Sequence, residues 1–118
     1  MRDAEYAGDR DLAKWAALVH YARNAANELG RYGITANYIN ADAVDTPLFR
    51  NLVRQRAEQQ GKTVDEMLAL YEQRSILRKA TVPPEAVADA VCFLASDRAA
   101  YTTGCVITVG GGAEAFPR

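Results

Sequence analysis

Two short apolar runs, Ile34–Ala41 and Cys105–Val109, limit what this chain can become. The first is rich in β-branched and aromatic residues, interrupted by Asn37 and Asn40, and reads as a strand buried on both faces. Between the runs lies a long stretch with helical periodicity, so no tight turn can join them as a hairpin. A strand, a long helical connection and a second strand form the crossover unit of parallel α/β sheets, expected right-handed. The chain therefore reads as helix-rich α/β.

The helical segments have their own punctuation. From Asp11 to Leu29, apolar residues recur at helical spacing through Leu12, Trp15, Ala16, Val19, Ala22, Ala26 and Leu29. Gly30 and Gly33 follow as stop signals. This stripe is wider than one neighbour covers, which points to two neighbours or a partner chain. Asp45-Thr46-Pro47 reads as a turn, and residues 48–60 as a helix ended by Gly61. Thr63 and Glu66 form a capping box opening a helix with Val64, Met67, Leu68 and Tyr71 on its apolar face. Residues 76–82 connect it to a helix opened by Pro83-Pro84-Glu85, with Val87, Val91, Phe93 and Leu94 on its apolar face. Ser96-Asp97 closes that helix.

Composition removes several functions. The 118 residues suit a single domain over 1–118, and 49% hydrophobic with 25% charged residues is globular. Fourteen basic against fifteen acidic residues leave a net charge of −1, without the broad attraction a nucleic-acid binder uses. No apolar run is long enough for a membrane span, and the first residues are charged where a signal peptide is apolar. Cys92 and Cys105 make no disulfide scaffold or zinc cluster and read as small buried hydrophobes. A cytoplasmic chain with reduced thiols is expected.

The remaining polar residues carry bland readings. His20 is a surface or interface residue, Glu28 and Asp42 form no carboxylate dyad, and Arg50, Arg54 and Arg56 form a solvated face.

Several strings, in order and spacing, resemble the C-terminal half of a short-chain dehydrogenase/reductase. Asn27-Glu-Leu-Gly-Arg-Tyr-Gly-Ile-Thr-Ala-Asn37 is similar to that family's ELG–x–x–G–I–R–V–N segment. Asn40-Ala-Asp-Ala-Val-Asp-Thr-Pro47 resembles its N–P–G–x–V–x–T–P cofactor loop. Pro84-Glu-Ala-Val-Ala88, Phe93-Leu-Ala-Ser-Asp97, Thr103-Gly104 and Val109-Gly-Gly111 resemble its closing PEEVA…FLASD…TG…VDGG signature. The ending and Asp42 lean toward the dehydrogenase half of bifunctional rhamnulose-phosphate aldolase/alcohol dehydrogenases. The resemblance implies a partial Rossmann-like fold, the C-terminal strand–helices–strand portion of a doubly wound parallel sheet. It also implies NAD or NADP as cofactor, with the Val44 backbone facing the nicotinamide carboxamide and the Thr46 hydroxyl bonding it or the phosphate. Thr46-Pro47 capping the next helix is the alternative.

Departures from the family pattern bear on activity. The Gly-rich turn that cradles a pyrophosphate is absent, and Gly110–Gly112 lacks a following helix to serve as one. Counting back from Asn37 puts the family's Tyr-x-x-x-Lys pair at Asp11 and Trp15, neither suited to its proton chemistry. Tyr6 with Arg10 has the spacing but lies too early. The loop's Pro-Gly is Ala41-Asp42, and the closing Asp is Gly110. The dinucleotide half is expected to be missing, leaving the substrate-lid and oligomerisation half of an oxidoreductase, inactive alone. The alternative is a non-catalytic helical dimerisation module. Either way a homo-oligomer is expected through helix 12–29, with Trp15, Val19 and Ala22 at the contact. A partner chain could supply the cofactor-binding half, and no nucleic acid or membrane partner is expected.

Overall fold

The computed structural model describes the backbone of residues 2–113 and the side chains of residues 13–113. The elements run α1 (Arg2–Leu29), β1 (Tyr38–Ala41), α2 (Pro47–Gln60), α3 (Val64–Arg74), α4 (Pro84–Leu94) and β2 (Val106–Val109). Tyr38 N–H donates to Cys105 O at 2.9 Å and Asp42 N–H to Val109 O at 3.4 Å, so β1 and β2 pair parallel in a two-stranded sheet. Three helices fill the crossover, as the periodicity required. The described residues form two compact units. One joins those up to Tyr38 with Phe93–Ile107, and the other joins Ile39–Cys92 with those from Thr108 on.

In the first unit, α1 runs further back than the expected start at Asp11. An apolar stripe marks where a helix finds neighbours, and the helix backbone continues without it. After Leu29 a 3-10 turn, Gly30–Tyr32, ends at Gly33 in the left-handed conformation (φ 73°), its N–H bonding Gly30 O. Val19, Ala22 and Ala26 are buried along one face of α1, while Trp15, Leu18 and Tyr21 are exposed. Val19 and Ala22, expected at a contact between copies, are thus already covered within the chain. The 102–105 loop is close to this face, since a Cβ on Gly104 would lie 3.6 Å from the Ala26 Cβ.

The first strand is shorter than the run Ile34–Ala41. Ahead of Tyr38 the chain is held by side chains instead of a ladder. Ala36 N–H donates to Thr103 Oγ1 (3.1 Å), the Asn37 amide donates to Thr102 O (2.9 Å), and Asn37 Oδ1 accepts from Cys105 N–H (3.1 Å). Burial on both faces is also not reached, because Tyr38 and Ile39 are half-buried and Ala41 is exposed. Cys92 and Cys105 are both exposed, not buried. On α4 the half-buried residues are Ala86, Val87, Ala90 and Leu94, and Cys92 falls off that face, as do Val91 and Phe93. Cys105 heads β2, where its thiol donates to Thr103 O at 3.4 Å.

In the second unit, Val53 and Ala57 of α2 meet Met67 of α3 in a small core, flanked by Phe49, Leu68 and Tyr71. The Phe49 and Tyr71 rings meet edge to face, 5.2 Å apart at 78°. Such a pair adds roughly 0.5–1.5 kcal/mol beyond its buried area. The expected capping box opens α3, with Glu66 N–H donating to Thr63 Oγ1 (3.2 Å) and Thr63 N–H to Glu66 Oε2 (2.8 Å). With so few buried side chains, one deletion removes much of what joins α2 to α3. Met67→Ala is expected to cost roughly 2–4 kcal/mol, measured by urea denaturation followed through helical circular dichroism.

Candidate functional site

In open α/β sheets, ligands bind beyond the carboxyl ends of the strands. Here the chain leaves β1 through Asp42–Thr46 before entering α2. This loop is fixed by a single parallel bridge, Val44 to Val82. Val82 N–H donates to Ala43 O at 3.0 Å, and Asp45 N–H donates to Val82 O at 2.9 Å. In such a bridge the middle residue turns its own N–H and C=O to the opposite side. The amide and carbonyl of Val44 therefore face away from Val82, with no backbone partner among the described residues. One donor and one acceptor on adjacent backbone atoms match a primary carboxamide, which carries the same two functions.

Thr46 stands at the N-terminus of α2 as its N-cap, its Oγ1 accepting from Phe49 N–H at 3.2 Å. The capping alternative is thus realised. The hydroxyl proton is not used in that bond, so Thr46 can cap the helix and still donate to a ligand. Arg50, one turn into α2, grips Asp45 by both carboxylate oxygens at 2.7 and 2.9 Å. That hydrogen bond holds the Asp45 carboxyl below its ordinary value, opposed by desolvation and aided by the guanidinium charge. The ion pair's contribution is present above the ordinary carboxylate value and fades as pH falls through the lowered one.

The three-glycine run meets a different fate from a phosphate cradle. A Cβ on Gly111 would lie 2.6 Å from Ser75 Oγ, and one on Gly112 would lie 2.7–2.9 Å from the Ile76 side chain. Ser75 Oγ donates to Gly111 O (3.0 Å), and Leu77 N–H donates to the same carbonyl (3.1 Å). These glycines seat the connector after α3. At Gly111 and Gly112 the space a side chain would take is filled by Ser75 and Ile76.

Other candidates scatter. His20 is exposed on α1, and Trp15, at the position of the family's lysine, is 39% exposed. The side chains of Tyr6, Arg10 and Asp11 lie outside the described residues. Of the arginines, Arg50 and Arg54 are exposed one turn apart on α2, and Arg56 is half-buried off that face. Arg50 pairs with Asp45, Arg54 donates to Asn51 Oδ1 (2.6 Å), and half-buried Arg56 donates to the Tyr71 hydroxyl. Sequence reasoning missed an apolar groove of about 460 Å³ between α2 and α3, lined by Phe49, Val53, Val64 and Leu68. The i, i+4 pairs Phe49/Val53 and Val64/Leu68 were its signal.

The sequence pattern of the family described as enoyl-(acyl carrier protein) reductase matches residues 11–114. A Mycolicibacterium smegmatis protein named as a short-chain type dehydrogenase/reductase is 37% identical over 106 residues, covering 86% of this chain and 37% of that one. A short-chain dehydrogenase family protein from Francisella tularensis superposes with a TM-score of 0.80 at 32% identity, covering 86% of this chain and 41% of that one. An actinorhodin polyketide ketoreductase solved with NADPH gives 0.79 at 25%, covering 88% and 40%. The chain thus spans about two fifths of the length of these relatives.

Ala43 offers a direct test of the loop. Its φ of 45° lies in the left-handed region, which costs a residue with a Cβ about 1 kcal/mol or more. Ala43→Gly is expected to leave stability unchanged or raise it by up to about 1 kcal/mol in urea denaturation. A loss of similar size would show that the loop does not hold this conformation.

Proposed function

The chain belongs to the short-chain dehydrogenase/reductase family, and we propose that it supplies the nicotinamide-facing loop and the substrate lid of an NAD(P)-dependent oxidoreductase. The observation that carries this is the outward-turned amide and carbonyl of Val44, on a loop whose next polar group is the Thr46 hydroxyl. Val44 would hold the carboxamide of the nicotinamide, and Thr46 would donate to that amide or to the phosphate. When bound, the cofactor supplies or accepts the hydride. This chain's residues orient its nicotinamide end, and α2 and α3 cover the substrate beside it.

The reading makes the chain inactive alone. Asp11 and Trp15 stand where the family pattern has Tyr and Lys, and an indole cannot lower a phenol's pKa or bind ribose hydroxyls as an ammonium does. The seated glycines leave the pyrophosphate to be held elsewhere, by a partner chain. Asp42 in the loop and the ending over residues 108–118 support placement beside the dehydrogenase half of rhamnulose-phosphate aldolase/alcohol dehydrogenases.

Two or three hydrogen bonds, each worth roughly 0.5–1.5 kcal/mol, cannot offset the several kcal/mol that association costs. NADH or NADPH titrated into the chain is therefore expected to bind no tighter than millimolar, with amide shifts confined to residues 43–46. Thr46→Ser should keep those shifts, and Thr46→Val should lose them together with about 1 kcal/mol of capping. Micromolar affinity, or shifts that bypass Val44 and Thr46, would count against the assignment.

Assembly follows from α1. Trp15, Leu18 and Tyr21 lie three residues apart, all exposed, on the side of the helix that the chain leaves uncovered. Burying such a stripe against a second copy gains about 25 cal/mol per Å² of apolar surface before association costs. The chain is thus a homo-oligomer joined through this part of the helix 12–29. Trp15→Glu should shift sedimentation toward monomer by placing a charge in the contact. A wild-type chain that sediments as a folded monomer at high micromolar concentration would refute the contact.

A further inference from the structure

Two stripes run side by side along α2. Phe49 and Val53 make an apolar one, and Arg50 and Arg54, each one residue further on, make a cationic one. Both line the groove of about 460 Å³, together with Val64 and Leu68 of α3 and with Ala80 and Thr81. That volume lies within the range of small-molecule sites, roughly 300–1,000 Å³.

The charge along this groove is not balanced. Asp45 is the only carboxylate among its lining residues, and both its oxygens are taken by Arg50. Arg54 donates to the side-chain oxygen of Asn51, a neutral partner, and forms no ion pair among the described residues. Asp45 compensates the charge of Arg50, which leaves Arg54 as the guanidinium of this groove with no carboxylate partner among the described residues. Asp45 also sits between Val44 and Thr46. A molecule in the groove therefore lies beside the loop assigned to the nicotinamide.

We propose that this groove is the substrate-recognition site and takes a small molecule with an apolar body and one carboxylate, the body against Phe49, Val64 and Leu68, over the buried Val53, and the carboxylate on Arg54. The proposal rests on reading α2 and α3 as the substrate lid, and it names the class of substrate that lid selects. A neutral molecule of the same shape gains the apolar contacts alone. A cationic one meets an unpaired guanidinium and is rejected.

The test uses the full chain and three probes with one hydrocarbon body: octanoate, 1-octanol and octylamine. Titrations followed by amide shifts should move Phe49, Val53 and Leu68. Octanoate should bind roughly three- to tenfold tighter than 1-octanol, the size of an ion pair at an exposed arginine, and octylamine more weakly than either. Arg54 is exposed, so Arg54→Gln should fold normally. It should bring octanoate down to the level of 1-octanol without altering 1-octanol, whereas Phe49→Ala should weaken both. Raising the salt concentration should erode only the octanoate preference.

Equal affinity for octanoate and 1-octanol, or an unchanged preference in Arg54→Gln, would overturn the proposal. So would shifts centred on Trp15 and Leu18, which would mean unspecific binding to exposed α1. Tighter retention on anionic phospholipid vesicles than octanoate competition explains would assign the groove to a lipid surface instead. No probe here involves a nicotinamide. Failure of NADH to shift Val44 while octanoate selects Arg54 would sink the cofactor loop alone, and the reverse pattern would sink the substrate class alone.

Discussion

Everything at the candidate site hangs on two backbone hydrogen bonds, from Val82 to Ala43 and from Asp45 to Val82. They tie the loop after β1 to the segment just before α4, though the two are far apart in sequence. With the bridge in place, Ala43 is held at a positive φ that it would not adopt freely, and the polar groups of Val44 turn outward. Ala80 and Thr81, which lead into Val82, are brought to the lining of the α2–α3 groove. One contact thus sets the cofactor-facing loop and one boundary of the substrate groove together. Strain at Ala43 is the cost of that arrangement, which is where backbone strain is usually found.

What could be read from the sequence was the local part. Thr46, Thr63, Gly61 and Pro84 mark helix ends through chemistry confined to one turn: α2 begins after Thr46 and ends at Gly61, and α3 and α4 begin where Thr63 and Pro84 place them. The first strand was overextended because β-branched composition says nothing about where a backbone finds a ladder partner. Residues 34–37 have strand-like composition, yet Asn37 and Thr103 side chains take the bonds a ladder would make. The cysteines failed for a related reason. Their small apolar side chains suit a core, but α4 covers only the face carrying Ala86, Val87, Ala90 and Leu94.

Within the candidate site, Val44 and Thr46 were legible only through resemblance. Nothing in an isolated valine indicates that its amide will be exposed, because Val82 creates that exposure from far along the chain. The groove was hidden for the opposite reason. Its residues are local and periodic, but arginines on a helix ordinarily mark a solvated face. The apolar stripe immediately beside them carried the distinction, and only the position of α3 makes that stripe a wall.

Two departures from the family pattern looked independent in the sequence and are neighbours in space. The cofactor loop has Asp42 where the pattern has Gly, and the end of β2 has Gly110 where the pattern has Asp. A Cβ built on Gly110 would lie 3.3 Å from the Asp42 Cβ, closer than most such contacts, and Gly110 is buried. A side chain at Gly110 would press on that of Asp42, which would have to give by a few tenths of an ångström. With the carboxylate carried by the β1 side, glycine becomes the residue that fits opposite. Each change therefore removes the obstacle to the other, and neither needs a loss of function to explain it.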